Sequence, residues 1–105
     1  MVQGEAMKQM LCLFILLFGA ANLALANNVF NGKEVYLKEC ISCHGSDGTG
    51  EMPGLPNFVE SNVLFKSDAE LINVINDGKG TMPGYNGLLT DEQIRDVVAY
   101  LRTFL

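Results

Sequence analysis

The feature that most constrains this chain is the sequence Cys40-Ile-Ser-Cys43-His44, which contains its only histidine. The one other cysteine, Cys12, lies far from this motif, in an apolar segment near the N-terminus. Thiols and an imidazole at such close spacing bind metals, form disulfides or carry a cofactor. The fold must therefore accommodate whatever these three side chains hold.

An apolar run from Met10 to Ala26 precedes the motif and ends in Ala24-Leu25-Ala26, a small-x-small cleavage signature. Lys8 supplies a positive residue before the run. Because the run falls short of the roughly 20 apolar residues that a spanning helix needs, we predict a secretory signal peptide over residues 1–26. An uncleaved membrane anchor is the alternative. A lipoprotein is disfavoured because Cys12 stands at the start of the run instead of ending it.

Residues 27–105 would then form one small exported domain that keeps the whole formal charge of −5. An acidic chain without Lys/Arg clusters argues against binding to nucleic acid or to anionic membrane surfaces. A chain this short buries too little apolar surface to be stable without a cross-link or a cofactor. A disulfide between Cys40 and Cys43 would close a very small loop, and a disulfide stabilises a fold less when the loop that it closes is shorter. A larger constraint is therefore required.

The pattern of apolar and capping residues predicts an all-α domain with long loops. A first helix is expected from Gly32 to about Cys40, opened by Asn31 and Glu34 as a capping box. A second helix is expected over residues 67–78, and a third begins after Thr90. The third helix carries an apolar stripe at helical spacing, formed by Ile94, Val97, Val98, Leu101 and Leu105.

Four interpretations of the Cys-x-x-Cys-His motif are open. A zinc site needs four ligands, and residues 27–105 offer no further cysteine or histidine, so zinc would have to recruit a carboxylate or a partner chain. A thioredoxin-like redox pair needs a βαβ setting, which the pattern lacks. A structural disulfide beside an incidental histidine fails the stability argument. The fourth interpretation is covalent attachment of haem, for which this spacing is a known signature.

Haem attachment explains the spacing and the loops. The thiols of Cys40 and Cys43 would each add to one vinyl group, and His44 would lie under the iron as an axial ligand. The apolar faces of the haem would replace missing core. Met82 and Met52, each followed by Pro-Gly, are candidates for the second ligand, and a thioether opposite histidine raises the reduction potential. Met52 is within reach, but position favours Met82, whose loop lies between two capped helices.

These residues resemble the class I monohaem cytochromes c, small exported electron carriers with a His/Met-ligated haem. The resemblance covers essentially all of residues 27–105 through four stretches, "GKEVYLKECISCHG", "GLPNF", "GKGTMPGY" and "DVVAYLRTF". It implies the small cytochrome c fold, with helices and long loops around one covalently bound haem c. It also implies close helix packing at Gly32, His44 and Met82 as axial ligands, and acceptance of the His44 Nδ1–H by the carbonyl of Pro56.

The resemblance further implies one-electron transfer without catalysis, so we expect no enzyme activity and no small-molecule substrate. The partners would be redox proteins that dock transiently, and no nucleic acid. The predicted signal peptide implies a periplasmic location, with membrane association only if residues 1–26 are retained as an anchor. The alternative is a haem subunit or module of a larger dehydrogenase or oxidase complex, because a carrier and a subunit need the same haem site.

Overall fold

The computed structural model describes Glu5, residues 7–10 and residues 27–105. Cys12 and the cleavage signature Ala24-Leu25-Ala26 lie outside the described residues, so the signal peptide and the domain boundary after residue 26 stay predictions. Within the described part of the chain, no helix is both long enough and apolar enough to cross a membrane.

Residues 27–105 form the predicted all-α domain. Its α-helices are α1 (Val29–Glu39), α2 (Ile41–His44), α3 (Asp68–Asp77) and α4 (Asp91–Leu101), and two 3-10 helices cover Asn62–Phe65 and Arg102–Phe104. Extended pairing over these residues is limited to two isolated β-bridges. Long irregular segments connect the helices, as their glycine and proline content predicts.

Helix α1 begins earlier than the sequence predicts. Its N-cap is Asn28, whose side chain accepts a hydrogen bond from the backbone N–H of Asn31. The predicted capping box of Asn31 and Glu34 is therefore wrong. The side-chain amide of Asn31 instead donates to Asp96 Oδ2 on α4 over 2.8 Å. The backbone N–H of Asn28 donates to Asp96 Oδ1 over 2.8 Å. This contact between two helices selects Asn28 as the cap.

The starts predicted for α3 and α4 and the end predicted for α3 are confirmed. Ser67 and Glu70 form the capping box of α3, and Thr90 and Gln93 form that of α4. In each box the side chain of the N-cap residue accepts a hydrogen bond from the backbone N–H of the third helical residue. The side chain of that third residue accepts a hydrogen bond from the backbone N–H of the N-cap residue. Helix α3 ends at Asp77, and its C-cap is Gly78, whose φ of 77° suits a residue without a Cβ.

The apolar stripe of α4 forms one side of the hydrophobic core. Its buried members are Ile94, Val97, Val98 and Leu101. Leu105, predicted to continue the stripe, is 61% exposed. That prediction is wrong because α4 ends at Leu101 and the chain passes into a 3-10 helix, which rotates later side chains off the stripe.

Helices α1 and α4 pack closely at Gly32, as predicted. A Cβ at Gly32 would collide with the backbone carbonyl of Asp96 in the middle of α4. One turn further along α1, Tyr36 is fully buried, and its ring centroid lies 5.3 Å from Tyr100 and 5.5 Å from Phe104. The crossing therefore fixes the end of α1, where the Cys-x-x-Cys-His motif begins, against the C-terminal helix.

Candidate functional site

The Cys-x-x-Cys-His motif occupies the end of α1 and the short helix α2. The backbone N–H of Cys40 donates to the carbonyl of Tyr36 over 2.9 Å, and that of His44 donates to the carbonyl of Cys40 over 3.0 Å. Cys40 and His44 are thus one helical turn apart, and both cysteines are free, half-buried thiols. Burial, with smaller contributions from Glu39 and Cys43, raises the pKa of Cys40 to about 11. Its thiol is therefore protonated at neutral pH.

A cavity of about 620 Å³ lies beside the motif, within the size range of cofactor sites. Cys40, His44, Pro56 and Met82 all line it, whereas Cys43 does not. Most of the remaining lining is aliphatic, and its core side chains are Leu64, Leu71, Ile75, Val97 and Leu101. The structure thus brings four of the five predicted site residues to one apolar cavity.

The loop that carries Met82 is held by backbone hydrogen bonds at both ends. Lys79 and Met82 exchange two such bonds, of 3.1 and 3.0 Å, directly after α3. The backbone N–H of Tyr85 then donates to the carbonyl of Ile75 in α3 over 2.9 Å. Met52, by contrast, is 49% exposed and does not line the cavity. Met82 is therefore the methionine that the fold presents to the cavity, and its role as an axial ligand stays a prediction.

The imidazole of His44 lines the cavity and stacks on Phe58, with ring centroids 4.7 Å apart and an interplanar angle of 20°. Its Nδ1 atom is buried and has no hydrogen-bond partner among the described residues. The structure forms no hydrogen bond from Nδ1 to the carbonyl of Pro56, and the acceptance of this N–H by Pro56 stays a prediction for the haem-bound protein. Burial lowers the pKa of His44, which favours the neutral imidazole that can bind a metal.

Phe58 is a site residue that the sequence analysis did not identify. It is 6% exposed, and its ring contacts His44 on one side and faces Phe104 at a centroid distance of 6.4 Å. The only signal in the sequence is an aromatic residue two positions after Pro56. Nothing in that spacing distinguishes an aromatic side chain in the core from one that touches the histidine.

These features fit a covalently bound haem better than the other candidates. The cavity is apolar, and its wall includes the free thiol of Cys40, the half-buried imidazole of His44 and the thioether of Met82. Over the described ranges, no group of three or more His, Cys, Asp or Glu side chains is arranged to hold a metal ion. The zinc interpretation therefore has no ligand set in this part of the chain. The fold and the site define a small all-α domain suited to a covalently attached haem.

Comparisons with known proteins agree with this definition. The family described as cytochrome c oxidase, cbb3-type, subunit III matches residues 27–101. Cytochrome c6 from Thermosynechococcus vestitus is 36% identical over 89 residues, which cover 82% of this chain and 79% of the relative. The cbb3-type cytochrome c oxidase subunit FixP from Bradyrhizobium diazoefficiens is 33% identical over 75 residues, which cover 69% of this chain and 26% of the relative.

A solved structure, that of the KustC0563 c-type cytochrome, aligns with a TM-score of 0.63 at 30% identity. The alignment covers 70% of this chain and 95% of that protein. The chain belongs to the class I monohaem c-type cytochromes. The predicted small cytochrome c fold is thereby confirmed, and membership of this family implies a covalently bound haem c.

Proposed function

We propose that residues 27–105 hold one haem c through thioethers at Cys40 and Cys43, with His44 and Met82 as the axial ligands of its iron. In this proposal the protein is an exported one-electron carrier. The observation that supports it most strongly is that Cys40, His44 and Met82 line the same apolar cavity. The bound haem would supply the one-electron couple, and the chain would supply its ligands and surroundings.

The residues of the chain have separate tasks in this proposal. His44, whose pKa is lowered by burial, would supply an imidazole nitrogen to the iron. Met82 supplies a soft thioether, which favours the ferrous state and raises the reduction potential. The aliphatic lining excludes water from the cofactor. If His44 and Met82 both bound the iron, no coordination site would be open to a substrate, which supports a carrier and not an enzyme.

The electron-carrier proposal draws further support from the cytochrome c6 relatives. Its test is a redox titration of the purified protein with soluble mediators. We expect a reversible transition of one electron per chain, and a matched variant with Cys40→Ala and Cys43→Ala should lose it. A transition with another electron count, or no transition in a haem-loaded protein, would contradict the proposal.

Export to the periplasm rests on the signal peptide predicted over residues 1–26. N-terminal sequencing of protein from a periplasmic extract should begin at Asn27, directly after the Ala24-Leu25-Ala26 signature. A chain that begins at Met1 or Met7 and is recovered in the membrane pellet would support a retained anchor instead. In either case the haem site within residues 27–105 is expected to be the same.

A subunit of a larger complex is the second candidate function. The family match and FixP both carry the name of a cbb3-type oxidase subunit, although this chain spans only 26% of FixP. Co-purification from native periplasmic and membrane fractions separates the candidates. A carrier should be recovered free, since docking between redox partners is small and transient. Recovery in a stable complex with an oxidase or a dehydrogenase would favour the subunit.

A further inference from the structure

We propose that Tyr85 is a positioning residue for Met82, because its hydroxyl ties the loop that carries this methionine to the end of α1, next to Cys40. This inference rests on the proposed function, since the position of the loop matters to the iron only if Met82 is an axial ligand. The contact that carries it joins two parts of the chain that are 46 positions apart.

The first observation is the partner that Tyr85 has on α1. Its hydroxyl donates a hydrogen bond of 3.0 Å to the backbone carbonyl of Glu39, the last residue of that helix. In a continuous helix this carbonyl would accept from the N–H of Cys43, but that N–H donates to the carbonyl of Cys40 over 3.3 Å. The break between α1 and α2 thus leaves a carbonyl at the end of a helix without its usual donor, and the Tyr85 hydroxyl supplies one.

The second observation is that Tyr85 is itself held by its backbone. Its N–H donates to the carbonyl of Ile75 in α3 over 2.9 Å. Its carbonyl accepts from the N–H groups of Leu88 and Leu89 over 2.9 and 3.0 Å. Because both backbone polar groups are bonded, the hydrogen bond of the side chain holds the whole loop to α1, and not the tyrosine ring alone.

The short segment between Met82 and Tyr85 has little freedom to move independently of them. It consists of Pro83, whose φ is fixed by its ring, and Gly84. A Cβ on Gly84 would come within 2.6 Å of the carbonyl of Asn76, so the backbone here lies directly against the end of α3. A constraint at Tyr85 is therefore transmitted to Met82.

The Tyr85 hydroxyl joins two parts of the proposed haem site. Cys40 follows Glu39 directly in the sequence. Met82 precedes Tyr85 by three residues, and Cys40 and Met82 both line the cavity. Over the described residues, this bond is the one hydrogen bond between segment 79–85 and α1. Its removal should let the loop move away from the cavity more often, while the packing of α1 on α4 is kept.

The test measures how readily an added ligand replaces the Met82 thioether on ferric iron. Imidazole from solution binds the iron only when the thioether has left it, so its apparent affinity reports how often the loop opens. Tyr85→Phe removes the hydroxyl and keeps the aromatic ring. Tyr100→Phe is the matched control, since Tyr100 is also half-buried but lies in α4, outside the loop.

Each haem-loaded ferric protein is titrated with imidazole, and loss of the weak long-wavelength charge-transfer band of the thioether–iron bond is followed. Urea unfolding of each variant is recorded beside it. We expect Tyr85→Phe to bind imidazole about 2- to 12-fold more tightly than the wild type, the range that corresponds to one lost hydrogen bond. Tyr100→Phe should bind it as the wild type does. In a Met82→Ala background, Tyr85→Phe should leave the affinity unchanged, because no thioether remains to be displaced.

An unchanged or weaker affinity in Tyr85→Phe would overturn this inference. The same increase in Tyr100→Phe, or in Tyr85→Phe combined with Met82→Ala, would also overturn it and leave Tyr85 a packing residue. A wild-type ferric protein without the charge-transfer band, or a band that survives Met82→Ala, would instead overturn the role of Met82 in the proposed function.

Discussion

Gly32 in α1 lies against the backbone carbonyl of Asp96 in α4, with no room for a side chain between them. The Asp96 carboxylate, in turn, accepts hydrogen bonds from the backbone of Asn28 and the amide of Asn31 at the start of α1. The two helices are thus joined at one point by close backbone packing and by a buried carboxylate. The position of Cys40 at the far end of α1 depends on this crossing.

Gly32→Ala is expected to destabilise the protein. In an exposed helix the same change would stabilise by roughly 0.5–1 kcal/mol, because alanine is the better helix former. Here the added Cβ collides with backbone in the middle of a helix, and overpacking of this kind costs about 1–3 kcal/mol. Urea unfolding should show a net loss, with Lys33→Ala at an exposed position of α1 as the control. A gain in stability for Gly32→Ala would mean that the helices do not meet at this residue.

Met82→Ala should remove the proposed sixth ligand, whereas Met52→Ala should not. Met82 lines the cavity on a loop tied at both ends, and Met52 is half-exposed outside it. Because the thioether–iron(III) bond is weak, a preorganised loop should decide which sulfur binds. The ferric spectrum of Met82→Ala should lose the weak long-wavelength charge-transfer band of that bond, and its reduction potential should fall. The reverse pattern would assign the ligand to Met52, and no loss in either variant would require another ligand.

Glu70 should make part of the stability dependent on pH. Hydrogen bonds from the backbone and side chain of Ser67, at 2.9 and 3.0 Å, lower the pKa of Glu70 from its ordinary value of 4.5. Because the folded pKa lies below the unfolded one, this contribution is present above about pH 4.5 and is lost as pH falls through the folded pKa. Urea midpoints measured from pH 7 to pH 3 should fall less steeply for Glu70→Gln, which keeps the capping geometry without the charge. If the urea midpoints of the wild type and of Glu70→Gln fell in parallel with pH, the capping box of Ser67 and Glu70 would not be the source of this pH dependence.

The later helices could be predicted from local sequence because their caps are local. In each capping box the two residues accept hydrogen bonds from each other's backbone N–H within one turn; the pairs are Ser67 with Glu70 and Thr90 with Gln93. No distant residue is therefore needed to fix where these helices begin. The start of α1 could not be predicted in this way. Asn28 and Asn31 are both good caps, and the carboxylate of Asp96, more than sixty residues away, engages both asparagines and leaves Asn28 as the cap.

The residues of the candidate site could be predicted where their spacing in the sequence indicates their role. Cys40, Cys43 and His44 are close in sequence, and Met82 stands out in the loop between two capped helices. The contacts of the imidazole ring of His44 could not be predicted from the spacing of residues in the sequence. The stacking of the imidazole on Phe58 depends on how the loop after His44 folds back, and this loop is held by the hydrogen bond from the backbone N–H of Phe58 to the carbonyl of Gly48.

The most direct test of the central claim, covalent attachment of haem at Cys40 and Cys43, is an intact-mass measurement. The protein is produced in a host with haem maturation machinery and extracted with acid-acetone, which removes haem that is not covalently bound. We expect one haem to remain on the wild-type polypeptide and none on a variant with Cys40→Ala and Cys43→Ala. A wild-type polypeptide with the mass of the bare chain would contradict the account.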